Sequence, residues 1–156
     1  KSISNRLTVA LSIDTAAAAK ASFGTARTML KSIKDDEGRP LNLKGTLLVV
    51  PPALEDIANA LMTNDKLEDG KPNPYKGTAK VLVCGWLETD TEWHLLDTSK
   101  AVKPIIFQPR KKPVFVQQTE TSSDAGFMRK KFKFGAEARG AAGYGLWQMA
   151  VGSTGA

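Results

Sequence analysis

The chain has 156 residues, 42% of them apolar and 24% charged, a balance that suits one folded domain or one domain plus part of a second and excludes wholesale disorder. Its net charge is +6, and no apolar run approaches the roughly 18 residues of a membrane span. The charge is uneven, +4 over residues 1–50, −4 over 51–100 and +6 over 101–156, which fits nucleic acid and equally fits copies of one protein packing acidic face to basic face. The opening, "KSISNRLTVALS", has too short and broken an apolar run for a signal peptide. It lacks Met, so the chain reads as a processed product or an excised piece. Cys84 stands alone, which excludes an internal disulfide and fits a reducing compartment.

In chain order, the first predicted element is a helix over about 14–34. Ala19, Phe23, Ala26, Leu30 and Ile33 recur at helical spacing and form one apolar face. Asp14 or Thr15 caps its start, and Gly38 and Pro40 are expected to end it. Thr46 to Val50 is an apolar, β-branched run without alternation, which predicts a buried strand. Pro51 and Pro52 stop it and suit the first turn of a short helix with Leu54, Ile57, Ala58 and Leu61 on its apolar stripe. Residues 63–77 are polar and rich in Pro, Gly and Asn, and predict a long exposed loop. Residues 78–88 and 92–97 follow as strand-like runs joined by a short turn near Thr89–Thr91.

The stretch "DTSKAVKPIIFQPRKKPVFV" at 97–116 then carries two β-prone runs, with Pro104, Pro109 and Pro113 marking edges or bends. Residues 127–134, "FMRKKFKF", place Arg129, Lys131 and Lys133 on one side and Lys130, Phe132 and Phe134 on the other, with the phenylalanines expected in the core. "GAAGYG" at 140–145 reads as close backbone contact or a bend rather than a phosphate cradle, since it does not join a strand to a helix. Leu146 to Val151 closes the chain as a strand-like run.

Candidate chemistry is sparse. His94, the single histidine, lies mid-strand with no partner visible in the sequence, and reads as structural. Cys84, in "LVCGW", has apolar flanks that raise a thiol pKa, and reads as a buried structural thiol. Asp35, Asp36 and Glu37 read as a solvated helix end. No catalytic, cofactor-binding or metal-ligating set emerges. The strongest polar signal is basic: Arg110-Lys111-Lys112 and Arg129, Lys130, Lys131 and Lys133. These suit subunit contacts, nucleic-acid contacts or plain solvation, and a basic nucleic-acid-binding module remains the alternative reading.

The stretches "GRPLNLKGTLLVVPPALE" (38–55), "NPYKGTAKVLV" (73–83), "WHLLDTSKAVKPIIFQPRKKPVFV" (93–116) and "FMRKKFKFGAEARGAAGYGLWQMAVGSTG" (127–155) resemble, in order, the major head subunit of Mu-like phages and prophages. The likeness spans about 14–155. It implies an α+β, HK97-like phage capsid fold, a virion shell protein rather than an enzyme, and no cofactor. Residues 1–112 would form an axial (A) region and 113–156 strands returning to the peripheral (P) domain. The N-terminal arm, extended loop and spine helix would belong to a half absent here. The 63–77 loop, with Asp69, Lys71, Asn73 and Tyr75, becomes a candidate for the capsomer axis. Arg110, Lys111, Lys112, Arg129, Lys131 and Lys133 become candidate subunit-contact or DNA-facing residues. The partners implied are copies of itself in hexamers and pentamers, head scaffolding and protease proteins, and non-specifically packaged DNA, with assembly in the bacterial cytoplasm and no membrane.

Overall fold

The computed structural model describes residues 4–119 and 132–155. They fall into two units, one formed by the residues up to Pro104 together with those from Gly145 on, the other by Ile105–Tyr144. The expected cut between 112 and 113 therefore runs through the middle of a strand, and the chain's last segment belongs with its first.

In the first unit the helical spacing of 14–34 is realised as α1 (Ala16–Ala19), a π-turn (Lys20–Gly24) and α2 (Thr25–Ser32). Thr15 caps the start, its hydroxyl accepting from the Ala18 N–H at 3.0 Å. All five residues of the predicted face are buried, Ala19, Phe23, Ala26 and Leu30 completely. The helix stops earlier than expected, because Ile33 turns to extended backbone. Gly38 instead serves the following turn at φ 83°, closed by the Lys34–Pro40 bridge and by the Asp35 carboxylate, which accepts from the N–H groups of Glu37 and Arg39.

The sheet has five strands, β1 (Arg6–Leu7), β2 (Leu47–Val50), β3 (Lys80–Val83), β4 (Trp93–Leu96) and, last in the chain, β7 (Ala150–Ser153), in the order β1-β7-β4-β2-β3. The β1/β7 and β2/β3 pairs are parallel, while β4 is antiparallel to both β2 and β7. The two runs that the sequence joins by a short turn are thus not neighbours, since β2 lies between β3 and β4. Pro52–Leu54 forms a 3-10 turn that leads into α3 (Glu55–Thr63), which connects β2 to β3. Leu48, Val50, Trp93, Leu95 and Val151 present one sheet face to Phe23, Leu30 and Leu61 in a single buried core. Each fully buried side chain of this size contributes about 1.5–3 kcal/mol. The chain's final strand begins at Ala150, after a 3-10 turn at Trp147–Met149, rather than at Leu146.

The second unit is a two-stranded antiparallel ribbon of β5 (Ile105–Gln118) and β6 (Lys133–Tyr144). The two β-prone runs merge into one strand of 14 residues, and the register shifts at Pro109/Lys111 and Lys111/Val114. Pro109 and Pro113 fall at or between these irregularities, where a missing N–H costs no regular ladder bond. Phe132 and Phe134 do not enter a core: they are 57% and 63% exposed, and Phe134 stacks on Phe115 at 6.1 Å. Of the basic run at 127–134, residues 127–131 lie outside the described residues. Gly140 does provide the expected close contact, since a Cβ there would meet the Phe107 ring at 2.9 Å.

Candidate functional site

Among the described residues, no group of three or more His, Cys, Asp or Glu side chains is placed to hold a metal. Cys84, expected to be buried, is half-buried one residue past β3, its N–H donating to the Val50 carbonyl at 2.8 Å. His94 stands on β4, on the other side of β2, so no base lies beside the thiol. His94 does have a partner that the sequence did not reveal: its Nε2 lies 3.0 Å from Glu92 Oε1. The shallow cleft around it is about 190 Å³, lined by Asn5, Arg6, Gly152 and Thr154 among others. An imidazole oriented by a carboxylate is half of a nucleophilic centre. No described hydroxyl or thiol is hydrogen-bonded to the ring, so the other half is missing.

The predicted basic residues are dispersed. Arg110, Lys111 and Lys112 are exposed along β5, but Lys111 pairs with Glu137 across the ribbon, and Arg139 Nε reaches the same carboxylate at 3.2 Å. Lys133 sits opposite Gln118, six residues along β6 from Arg139, which faces Lys111; that is about 20 Å at strand spacing. Arg129 and Lys131 lie outside the described residues. Side chains directly across an antiparallel pair share a face. One face of the ribbon accordingly carries Ile105, Tyr144, Phe107, Phe115 and Phe134, each at least 63% exposed, while the other mixes Lys111, Glu137, Arg139 and Lys133 with exposed Ile106, Val114 and Val116. Both faces thus present apolar side chains, and among the described residues of this unit nothing covers them.

The 63–77 segment is less free than its composition suggests. Asn73 is buried, donating to the carbonyls of Leu61 (2.7 Å) and Asn64 (3.0 Å) and accepting from the Tyr75 N–H. Tyr75 packs edge-on against Phe23 at 5.3 Å. Asp69 accepts from the N–H groups of Ala16 and Lys71, and these bonds, the Ala16 one foremost, hold its carboxyl below the usual value. Lys71 is exposed and lies 3.7 Å from Asp69. Asp69, Asn73 and Tyr75, three of the four residues named for this exposed loop, therefore fasten it to the rest of the unit.

Beside this loop lies a surface that the sequence reading passed over. Lys20, Arg27 and Lys31 line an open groove of about 660 Å³ together with Gly24, Thr28, Met29 and Tyr75. Arg27 and Lys31 also line an adjoining groove with Lys44, Thr46 and Thr78. None of these four cations forms an ion pair among the described residues. The signal was present in the sequence, since positions 20, 27 and 31 are separated by 7 and 4, which places them along one helix face.

The model of the family described as Mu-like prophage major head subunit gpT matches residues 11–87 and 88–156. The major capsid protein of Escherichia phage Mu is 58% identical over 59 residues, a match covering 38% of this chain and 19% of that protein. The Mu-like prophage FluMu major head subunit of Haemophilus influenzae is 47% identical over 58 residues, covering 37% of this chain and 19% of the relative. Among solved structures, the bacteriophage JBD30 capsid matches at 31% identity with a TM-score of 0.45, over 50% of this chain and 25% of that one.

Proposed function

The chain belongs to the Mu-like prophage major head subunit family, and from that premise we propose that it is a structural element of a phage head, acting by packing against copies of itself. The family match along residues 11–156 carries this reading. One surface feature supports it. The described residues of the ribbon expose many apolar side chains, and an isolated two-stranded ribbon is marginal in water, so its stability calls for further protein surface.

Under this proposal the chain has the HK97-like arrangement. The five-stranded unit is the axial region, and the ribbon is the part returning to the peripheral domain. The partners are other copies in hexamers and pentamers, together with head scaffolding and protease proteins and packaged DNA, and assembly takes place in the bacterial cytoplasm. Many weak identical contacts in a closed array then add up to a stable container. Ion pairs such as Arg110 or Lys112 with a neighbour's acidic residues contribute roughly 0.2–1 kcal/mol each and serve orientation more than strength.

The test is to express the complete coding region with its scaffolding partners and examine the product by sedimentation and electron microscopy. Closed particles are expected. A product that stays monomeric at high concentration overturns the proposal.

A further inference from the structure

We propose that the turn carrying Trp86 on one copy of this chain docks into the Lys20–Arg27–Lys31 groove of the next copy. This rests on the self-packing reading above and names the two surfaces that meet.

Trp86 is 93% exposed, the most exposed large apolar side chain among the described residues, and Leu82 beside it on β3 is 48% exposed. A tryptophan buries on the order of 150–250 Å² when covered, and it is among the residues that most often anchor interfaces. Its turn also holds Glu88 and Asp90, both exposed and without a cationic partner among the described residues. The knob is therefore apolar at its tip and acidic at its side.

The groove is the complement. Lys20, Arg27 and Lys31 make it cationic, and Met29 and Tyr75 add apolar and aromatic surface among the polar Thr25, Thr28 and Ser32. Arginine and lysine over an indole face add a cation–π attraction, and a methionine packs readily on aromatic rings. The helix widens into its π-turn at this place, and Gly24 there leaves room for the Tyr75 hydroxyl, which a Cβ would meet head-on.

Topology makes the contact intermolecular. The groove system runs to Thr46 and Thr78, just ahead of β2 and β3, whereas the Trp86 turn leaves from the far end of the same parallel pair, after Val83. Knob and groove thus lie at opposite ends of the two strands, and a copy does not fill its own groove. Two different patches that complement each other give a head-to-tail contact, the kind that closes into rings. Nucleic acid is the weaker occupant, because phosphates satisfy the cations but leave Trp86 and its carboxylates without a role.

The test uses the complete coding region and three variants: Arg27→Glu/Lys31→Glu, Glu88→Lys/Asp90→Lys, and all four changes together. Far-ultraviolet circular dichroism and thermal melting check each fold. Each pair of reversals is expected to weaken self-association roughly 30-fold, as at an interface hot spot, and the fourfold variant to restore it. As a second readout, Thr28→Cys with Glu88→Cys in a Cys84→Ser background is expected to yield disulfide-linked dimers and higher ladders under mild oxidation. Assembly indifferent to the reversals, no restoration in the fourfold variant, or no ladder overturns the pairing alone. Loss of duplex DNA binding by Arg27→Glu/Lys31→Glu with assembly intact also overturns it and assigns the groove to phosphate. A parent that never assembles removes the head-subunit reading itself.

Discussion

Asp97 shows how a single residue anchors the five-stranded unit. It is fully buried just after β4, and its carboxylate accepts from the Lys44 N–H (2.7 Å), the Ser99 N–H (2.8 Å) and the Ser99 hydroxyl (2.6 Å). Desolvation acts to raise its pKa, but the Ser99 hydroxyl and the two N–H groups outweigh it, and the carboxyl is held below its ordinary 3.8. Asp97→Ala strands those donors and should lower stability by about 2–3 kcal/mol, read from the urea midpoint. A depressed folded-state pKa means that the unfolded chain takes up the proton first. The contribution is therefore full above about pH 5 and is lost as pH falls through 3.8 toward the folded value. Midpoints of the parent and Asp97→Asn should accordingly differ less at pH 3 than at pH 7. None of this was legible in the sequence, where an acid at a strand end looks like any surface residue. Its burial is decided by Lys44, 53 positions away. The apolar face of the first helix was legible because its periodicity is local.

The same distinction separates elements that the sequence revealed from those it did not. The β2 run was readable from its unbroken apolar character, and α3 from its stripe. The sequence joins the β3 and β4 runs by a short turn, but β4 buries Trp93 and Leu95 on one sheet face and takes a central place between β2 and β7. Sheet order follows which strand buries more, and turn chemistry alone carries no information on that. Central placement of β4 demands close approach by the segment leading into β2. A Cβ on Gly45 would meet the Leu95 isobutyl group at 2.7 Å. Gly45→Ala should therefore cost about 1–3 kcal/mol. Combined with Leu95→Ala it should cost less than the two single changes added, since the smaller side chain vacates the clashing volume. Denaturant midpoints of the four proteins in that cycle measure the coupling, and strict additivity would disprove the contact.

At the scale of the whole molecule, the candidate contact residues divide between two units in a way that composition does not announce. Strand propensity at 105–118 and 133–144 was readable, but the break between units was not, because β7 returns to the first sheet after 40 intervening residues. The stems of that excursion are tied: the Gly145 N–H donates to the Pro104 carbonyl at 2.9 Å, inside the first unit. The core of Phe23, Leu30, Leu48, Trp93 and Val151 is built by residues of the first unit. Replacing residues 105–144 by a two-residue Gly-Ser link should therefore leave the first unit folded, with Trp93 still buried, and change its urea midpoint by no more than the small difference in loop-closure entropy. The same replacement in the complete coding region should abolish particle formation, because it removes the ribbon whose exposed apolar side chains a neighbouring copy would cover. Loss of cooperative unfolding in the shortened chain would show that the two units share one core. Intact particles would show that the ribbon is dispensable to the head.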